Sequence, residues 1–205
     1  DGNLLPDEAK VEFDIKVVSM PADTTASWVF KVEFDDAEVE PQSRAASDVA
    51  TQNTKALASI ELSLQDSVEA VLPTVGQWQH YTFELGALRA LGLNDKKISA
   101  IKLYPTVGKG AGAVFQVDNV TIGAAFEGAK LSLFKDEENP NWPMWDDQVA
   151  KGISDIVPVV VVDEDPAYGN VAEFHIAGNS VVGFNVRKDQ GGSGYPFDAS
   201  SLAIT

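Results

Sequence analysis

Apolar and polar positions alternate with period two along most of the chain. In "KVEFDIKVV", residues 10–18, Val11, Phe13, Ile15 and Val17 share one face and Glu12, Asp14 and Lys16 the other. That pattern belongs to a strand with one side buried and one side wet. "SWVFKVEF" repeats it, with Trp28, Phe30, Val32 and Phe34 inward and Lys31 and Glu33 outward. "ASIELSL" offers Ile60, Leu62 and Leu64, and "WQHYTFEL" is rich in β-favouring aromatics. "KISAIKLYP", "GAVFQVDNVTIG", "KLSLFK", "VPVVVV", "VAEFHIAG" and "NSVVGFNVR" continue the series. About ten short strands, separated by Gly, Pro, Asn and Asp turns, predict an all-β fold in the form of a single antiparallel β-sandwich.

The remaining segments are connections. "GALRALGL" predicts one or two helical turns, with Leu88 and Leu91 at helical spacing and Gly92 as the stop. Residues 36–57 are polar and rich in Ala, Ser and Thr, and read as a long excursion between strands. "GKGAG", residues 108–112, leads into a strand rather than a helix, so it offers no helix N-terminus to a phosphate and reads as a tight hairpin connection. "GGSG", residues 191–194, reads as a flexible turn, and no internal repeat is visible. Trp28 and Trp78 lie within strand patterns and are expected in the core. Strict alternation through "VFQVDNVTI" sets Val114, Gln116, Asp118, Val120 and Ile122 on one face and Phe115, Val117, Asn119 and Thr121 on the other. A carboxylate on that mainly aliphatic face needs a partner, because an unpaired buried charge is costly.

Composition narrows the classes. The chain has 205 residues, 44% hydrophobic, enough for a sizeable core. Lys and Arg number 15 against 31 Asp and Glu, a formal charge of −16 that repels nucleic-acid phosphates and anionic membranes. Cysteine is absent, which removes disulfides and thiolate zinc sites, and two histidines do not make a multi-histidine centre. No run reaches the about 20 apolar residues of a membrane span. Nucleophile elbows and HExxH helices are missing as well, so no catalytic residue is assigned.

"GQWQHYTFELGAL" followed by "ISAIKLYPTVGKGAGAVFQVDNVTIG" resembles the last third of the jelly-roll carbohydrate-binding modules attached to secreted polysaccharide hydrolases of marine bacteria. "NPNWPMWDD", "AYGNVAEFHIAGNSVVGFNVR" and "YPFDASS" resemble the first third of the same module, and "AKVEFDIKVVSMPADTTASWVFKVEF" its centre. The family order is 130–205 and then 1–123, so the chain resembles one complete module rotated in sequence. Residues 124–129 then bridge the family's two ends, residues 1–205 form one sandwich, and Asp1 and Thr205 are expected close together. A tandem array cut out of phase gives the same string.

The resemblance implies a non-catalytic module that attaches a larger secreted or surface multidomain protein to a polysaccharide such as a β-glucan or marine galactan, with no nucleic-acid partner and no membrane insertion. It implies a structural Ca2+ near the last family strand, held by Asp118, with Asp136 and Glu137 supplying further oxygens. Trp142 and Trp145 sit in a Pro-rich acidic loop. Aromatics there suit sugar C–H faces, although a large apolar ring also plugs a sandwich end, and one of the two is expected to be buried. Family copies carry Cys after "WD", where Asp147 and Gln148 stand here. Tyr168, His175, Arg187 and Tyr195 complete the candidate sugar contacts, Arg187 through its fork of donors. Two other functions compete. One is a calcium-dependent ligand-binding or structural domain of a bacterial surface adhesin. The other is a polysaccharide lyase or hydrolase using a Tyr, His, Arg and Gln cluster such as Tyr81, His80, Arg187 and Gln190.

Overall fold

The computed structural model describes residues 9–35, 57–123, 130–186 and 196–199. Expectations that fall elsewhere lie outside the described residues: most of the long excursion, the bridging segment, "GGSG", Arg187, Gln190, Tyr195, and the two chain ends.

The alternating segments pair into two antiparallel sheets that face each other as an open sandwich, with no closed barrel. In the first sheet the order is β10 (Val159–Val162), β11 (Asn170–His175), β6 (Val114–Gly123), β1 (Lys10–Ser19) and β4 (Trp78–Glu84). β7 (Lys130–Lys135) also pairs with β6, and β8 (Glu137–Glu138) with β7. The second sheet runs β3 (Leu57–Ser63), β2 (Trp28–Asp35), β5 (Ile98–Pro105), β12 (Val182–Asn185) and β9 (Met144–Asp146). Twelve described strands thus stand where about ten are read from the pattern. The predicted turns of helix form α1 (Leu85–Ala90), and a further single turn, α2 (Asp147–Ala150), follows β9.

Strands from before residue 124 and after residue 129 take part in both sheets, meeting at one seam in each. β11 and β7 flank β6 in the first, and β12 lies against β5 in the second. Their inward side chains meet in one cluster. Phe30 of β2 stacks on Phe83 of β4 across the sandwich, centroids 3.9 Å apart and planes 8° apart. A second aromatic path runs from Trp28 to Phe115 (5.2 Å), Phe174 (5.4 Å), Phe184 (5.9 Å) and Phe134 (6.1 Å). It joins both sheets and both stretches of sequence. The described ends of the chain reach one region: Leu85 N–H donates to the Ala9 carbonyl, and Ala199 N–H to that of Asp95, just beyond α1.

Two expectations change. The "GKGAG" segment is not a hairpin, because β5 and β6 belong to different sheets, and the segment crosses from one to the other. Its glycines permit a close passage: a Cβ on Gly110 would stand 2.7 Å from Ile176 Cγ2. The alternation in β6 also breaks. Asp14 of β1 opposes Asp118, but Glu12 opposes Thr121, so β6 carries one extra residue at this point. Asn119 absorbs it with φ of +51°, a left-handed conformation that Asn tolerates. Phe115, Val117, Val120 and Ile122 therefore all point into the core, and Asp118 faces outward with Gln116 and Thr121.

Because one core is shared, Phe174→Ala should lower the unfolding free energy by about 3–5 kcal/mol. Urea unfolding followed by tryptophan fluorescence and by circular dichroism should give coincident single transitions for the wild-type chain. Two resolved transitions would mean separate folding units.

Candidate functional site

The outward side chains of the first sheet form rows. Trp78, Lys16, Gln116 and Glu173 lie side by side across β4, β1, β6 and β11, and His80, Asp14 and Asp118 form the next row. The loop from Asp163 to Gly169, between β10 and β11, folds over this face. It closes on itself through bonds from Asp163 N–H to the Gly169 carbonyl (2.8 Å) and from Tyr168 N–H to that of Asp165 (3.0 Å). The Tyr168 ring stacks on Trp78, centroids 4.0 Å and planes 12° apart, and both rings remain part-exposed. Trp78 Nε1–H donates to Asp163 Oδ1 at 3.3 Å. The Lys16 ammonium bonds to Asp163 Oδ2 and stands 5.2 Å from the Trp78 ring centroid. Burial raises the proton affinity of Asp163, but bonds from Lys16, the Asp165 N–H and Trp78 outweigh it and hold the carboxyl below its usual range. Burial, reinforced by Asp14 and Asp165, pushes the Tyr168 phenol up, so it stays protonated and able to donate.

Beside this stack lies a cleft of about 410 Å³, lined by Lys16, Gln116, Val161, Asp163, Glu164 and Glu173 among others. Glu173 is held from two sides: Gln116 Nε2 donates to its Oε2 (2.9 Å), and His175 Nε2 meets its Oε1 (2.7 Å). The volume falls in the range of small-ligand sites, and the mixture of fixed polar groups with an apolar wall suits a hydroxyl-rich ligand.

Next to the stack, the bulge in β6 creates an acidic corner. Asp118 is 2% exposed, and its Oδ1 has no hydrogen-bond partner. The N–H groups of Asn119 and Asp136 donate to its carboxylate, yet burial prevails, reinforced by Asp136 and Asp14, and pushes the pKa up to about 6. Asp14 is already engaged, accepting from Asn119 Nδ2 (2.8 Å) and meeting His80 Nδ1 (2.7 Å). Asp136, with φ of +59°, accepts from Asn170 N–H through Oδ1 (3.2 Å). A side chain at Gly169 would run into that Oδ1. An orphaned buried carboxylate oxygen with a second carboxylate beside it fits a hard cation. Among the described residues, however, no three His, Cys, Asp or Glu side chains surround one point, so further ligands would come from carbonyls or water. Glu137 is exposed in β8, opposite Lys135 in the ladder.

The structure separates the aromatic candidates. Tyr168 and His175 are on the face described above. Trp142 is 1% exposed and packs edge-on against Phe197 at 5.6 Å, so it belongs to the core and presents no face to a sugar. Trp145 lies on β9 of the opposite sheet, part-exposed, with the Lys102 ammonium 4.0 Å from its ring centroid. Asp147 binds Val181 N–H (2.7 Å) and Lys151 (2.6 Å). Tyr81 and His80 do not converge: Tyr81 is wholly buried against Phe13, its phenol pushed up to about 12 by burial and by Glu69, while His80 points outward.

Trp78 is the functional residue that reading it as core overlooked. Its signal was available, since period two places it with His80, Thr82 and Glu84 on the polar face of β4. Lys16 and Gln116 carry no such signal, because a lysine or glutamine on an outer face is ordinary.

In metal-free protein, the raised pKa of Asp118 means that the folded state binds a proton more readily than the unfolded one. Stability attributable to this group therefore falls as pH rises from 3.8 to about 6 and is flat above that. Asp118→Asn should thus raise the melting temperature in chelator at pH 7, and should change nothing at pH 3.5; thermal melts across the range check this. No known family model, curated protein or solved structure matches the chain.

Proposed function

We propose that the chain is a non-catalytic carbohydrate-binding domain that holds a larger secreted or surface protein on a polysaccharide. The observation that supports it best is the Trp78–Tyr168 stack standing next to a polar cleft on the open face of a β-sandwich. Flat sugar C–H faces pack against such rings, and hydroxyls bond to fixed carboxylates and amides beside them. The carboxylates of the cleft are each bonded to donors or exposed to solvent, an arrangement suited to orienting hydroxyls. One such site binds weakly, and repetition within a longer protein would supply avidity.

Calcium is the cation we assign to the acidic corner, with Asp118 and Asp136 as side-chain ligands. When bound it supplies structural charge neutralisation for a buried carboxylate. Asp118 lies between β11 and β7, and Asp136 reaches the Gly169–Asn170 end of the loop that carries Tyr168. The corner thus steadies the platform rather than touching the sugar.

Titration calorimetry against laminarin, agar-type galactan, xylan and chitin oligomers should show heat with at least one at millimolar sites. Tyr168→Ala, which removes half of the stack, should weaken that binding about tenfold, close to 1.4 kcal/mol, with little change in melting temperature. Silence with every glycan would remove the proposal. Calcium at about 100 times its dissociation constant should stabilise the fold by about 2.7 kcal/mol. Asp118→Asn should abolish that gain, as read by melts with and without chelator.

A further inference from the structure

The cleft beside Trp78 is rich in acceptors and poor in donors, and this sharpens the choice of glycan; the inference rests on the carbohydrate-binding reading. Its donors are already committed. The Lys16 ammonium is bonded to Asp163, Gln116 Nε2 to Glu173, Trp78 Nε1 to Asp163, and His175 Nε2 to Glu173. Gln116 is 8% exposed and lines the cleft, and its Oε1 has no partner at all. The amide cannot be turned round, since its oxygen would then face the Glu173 carboxylate. A buried acceptor left empty is unfavourable, so a ligand that brings an N–H or O–H to it is favoured. Glu164 adds an exposed carboxylate at the rim. One lysine thus stands against three carboxylates, Asp163, Glu164 and Glu173.

We infer that the cleft takes a sugar unit carrying a free, protonated amino group flanked by hydroxyls, as in a 2-amino-2-deoxy glycan such as chitosan. Its ammonium supplies N–H donors for Gln116 Oε1 and charge for Glu164 and Glu173, while Val161 meets the C–H side of the ring. Uronates and sulfated galactans would bring negative charge to a negative cleft in a chain of net charge −16. A bare divalent ion is disfavoured by the ammonium of Lys16, and among the described residues no metal-type grouping of carboxylates occurs there.

The test is calorimetry at low salt and mildly acidic pH with three matched pentamers: β-1,4-linked glucosamine, its fully N-acetylated form, and glucose. Tetralysine serves as an amine without sugar. The glucosamine pentamer should bind at least about tenfold tighter than the other two, and the preference should shrink about threefold in Glu164→Gln, an exposed position that should not disturb folding. Gln116→Leu should remove it further. Equal or tighter binding of the glucose or acetylated pentamer would overturn this inference and leave the glycan reading standing. Preference unchanged in Glu164→Gln would place the amine elsewhere and also overturn it. Tetralysine binding as tightly as the glucosamine pentamer, or no binding by any of the four, would overturn this inference, and only silence with laminarin, galactan and xylan as well would overturn the glycan reading.

Discussion

Strand β6 is paired along both edges, and its outer edge changes partner halfway. β11 holds residues 114–117, β7 holds residues 120–123, and Asp118 and Asn119 fall between them. The extra residue that β6 carries against β1 sits at this handover. Much of the first sheet follows from it. The bulge restores the inward phase for Val120 and Ile122, and so keeps the β6–β7 half of the core closed. It turns Asp118 outward beneath the β7–β8 turn, where Asp136 N–H can reach it, and it frees the Asn119 amide to hold Asp14. A buried carboxylate with an empty lone pair is the chemical residue of that geometry.

The same handover explains which parts of the fold were legible. Period two located β1, β2 and β3 with their inward faces, because those strands run without interruption against a partner on at least one side. Strand β6 defeated it after residue 117, since a single inserted residue inverts every later side chain and nothing in "VDNV" distinguishes a bulge from a continuous strand. The crossover at residues 106–113 was read as a hairpin for a related reason. Its glycines announce tight backbone passage, but not whether the next strand joins the same sheet or the other. The close passage against Ile176 is a tertiary fact. Among the aromatics, Trp142 and Trp145 look equivalent in "NPNWPMWDD", yet one fills the interior against Phe197 and the other lies under Lys102 on a sheet face. Loop residues have no period from which to read a face.

Charge on the first sheet is arranged in bonded pairs rather than spread as a solvated coat. Lys130 meets Glu12 at 2.5 Å, His80 meets Asp14, Lys16 meets Asp163, and His175 meets Glu173. On a half-exposed face each pair contributes little to stability, but each fixes the direction of a carboxylate. In the cleft, Asp163 is tied to Lys16 and Glu173 to Gln116 and His175, while Glu164 stands exposed at the rim.

The Asp163–Gly169 loop links the two sites. At its first residue the Asp163 carboxylate gathers Lys16, Trp78 and the Asp165 N–H, and so belongs to the cleft. Just past its last residue, Asn170 N–H is bonded to Asp136, and a Cβ on Gly169 would stand 2.5 Å from Oδ1 of that carboxylate, so this end belongs to the acidic corner. Tyr168 lies one residue from the second anchor and five from the first, with its ring on Trp78. The loop that carries Tyr168 is thus tied at one end to the corner and at the other to Lys16 and Trp78. If charge at the corner is left uncompensated, Asp118 and Asp136 repel each other directly beneath the backbone that holds Tyr168. Neutralising that pair, by a proton on Asp118 or by a cation, would relieve this repulsion at the end of the loop that carries Tyr168.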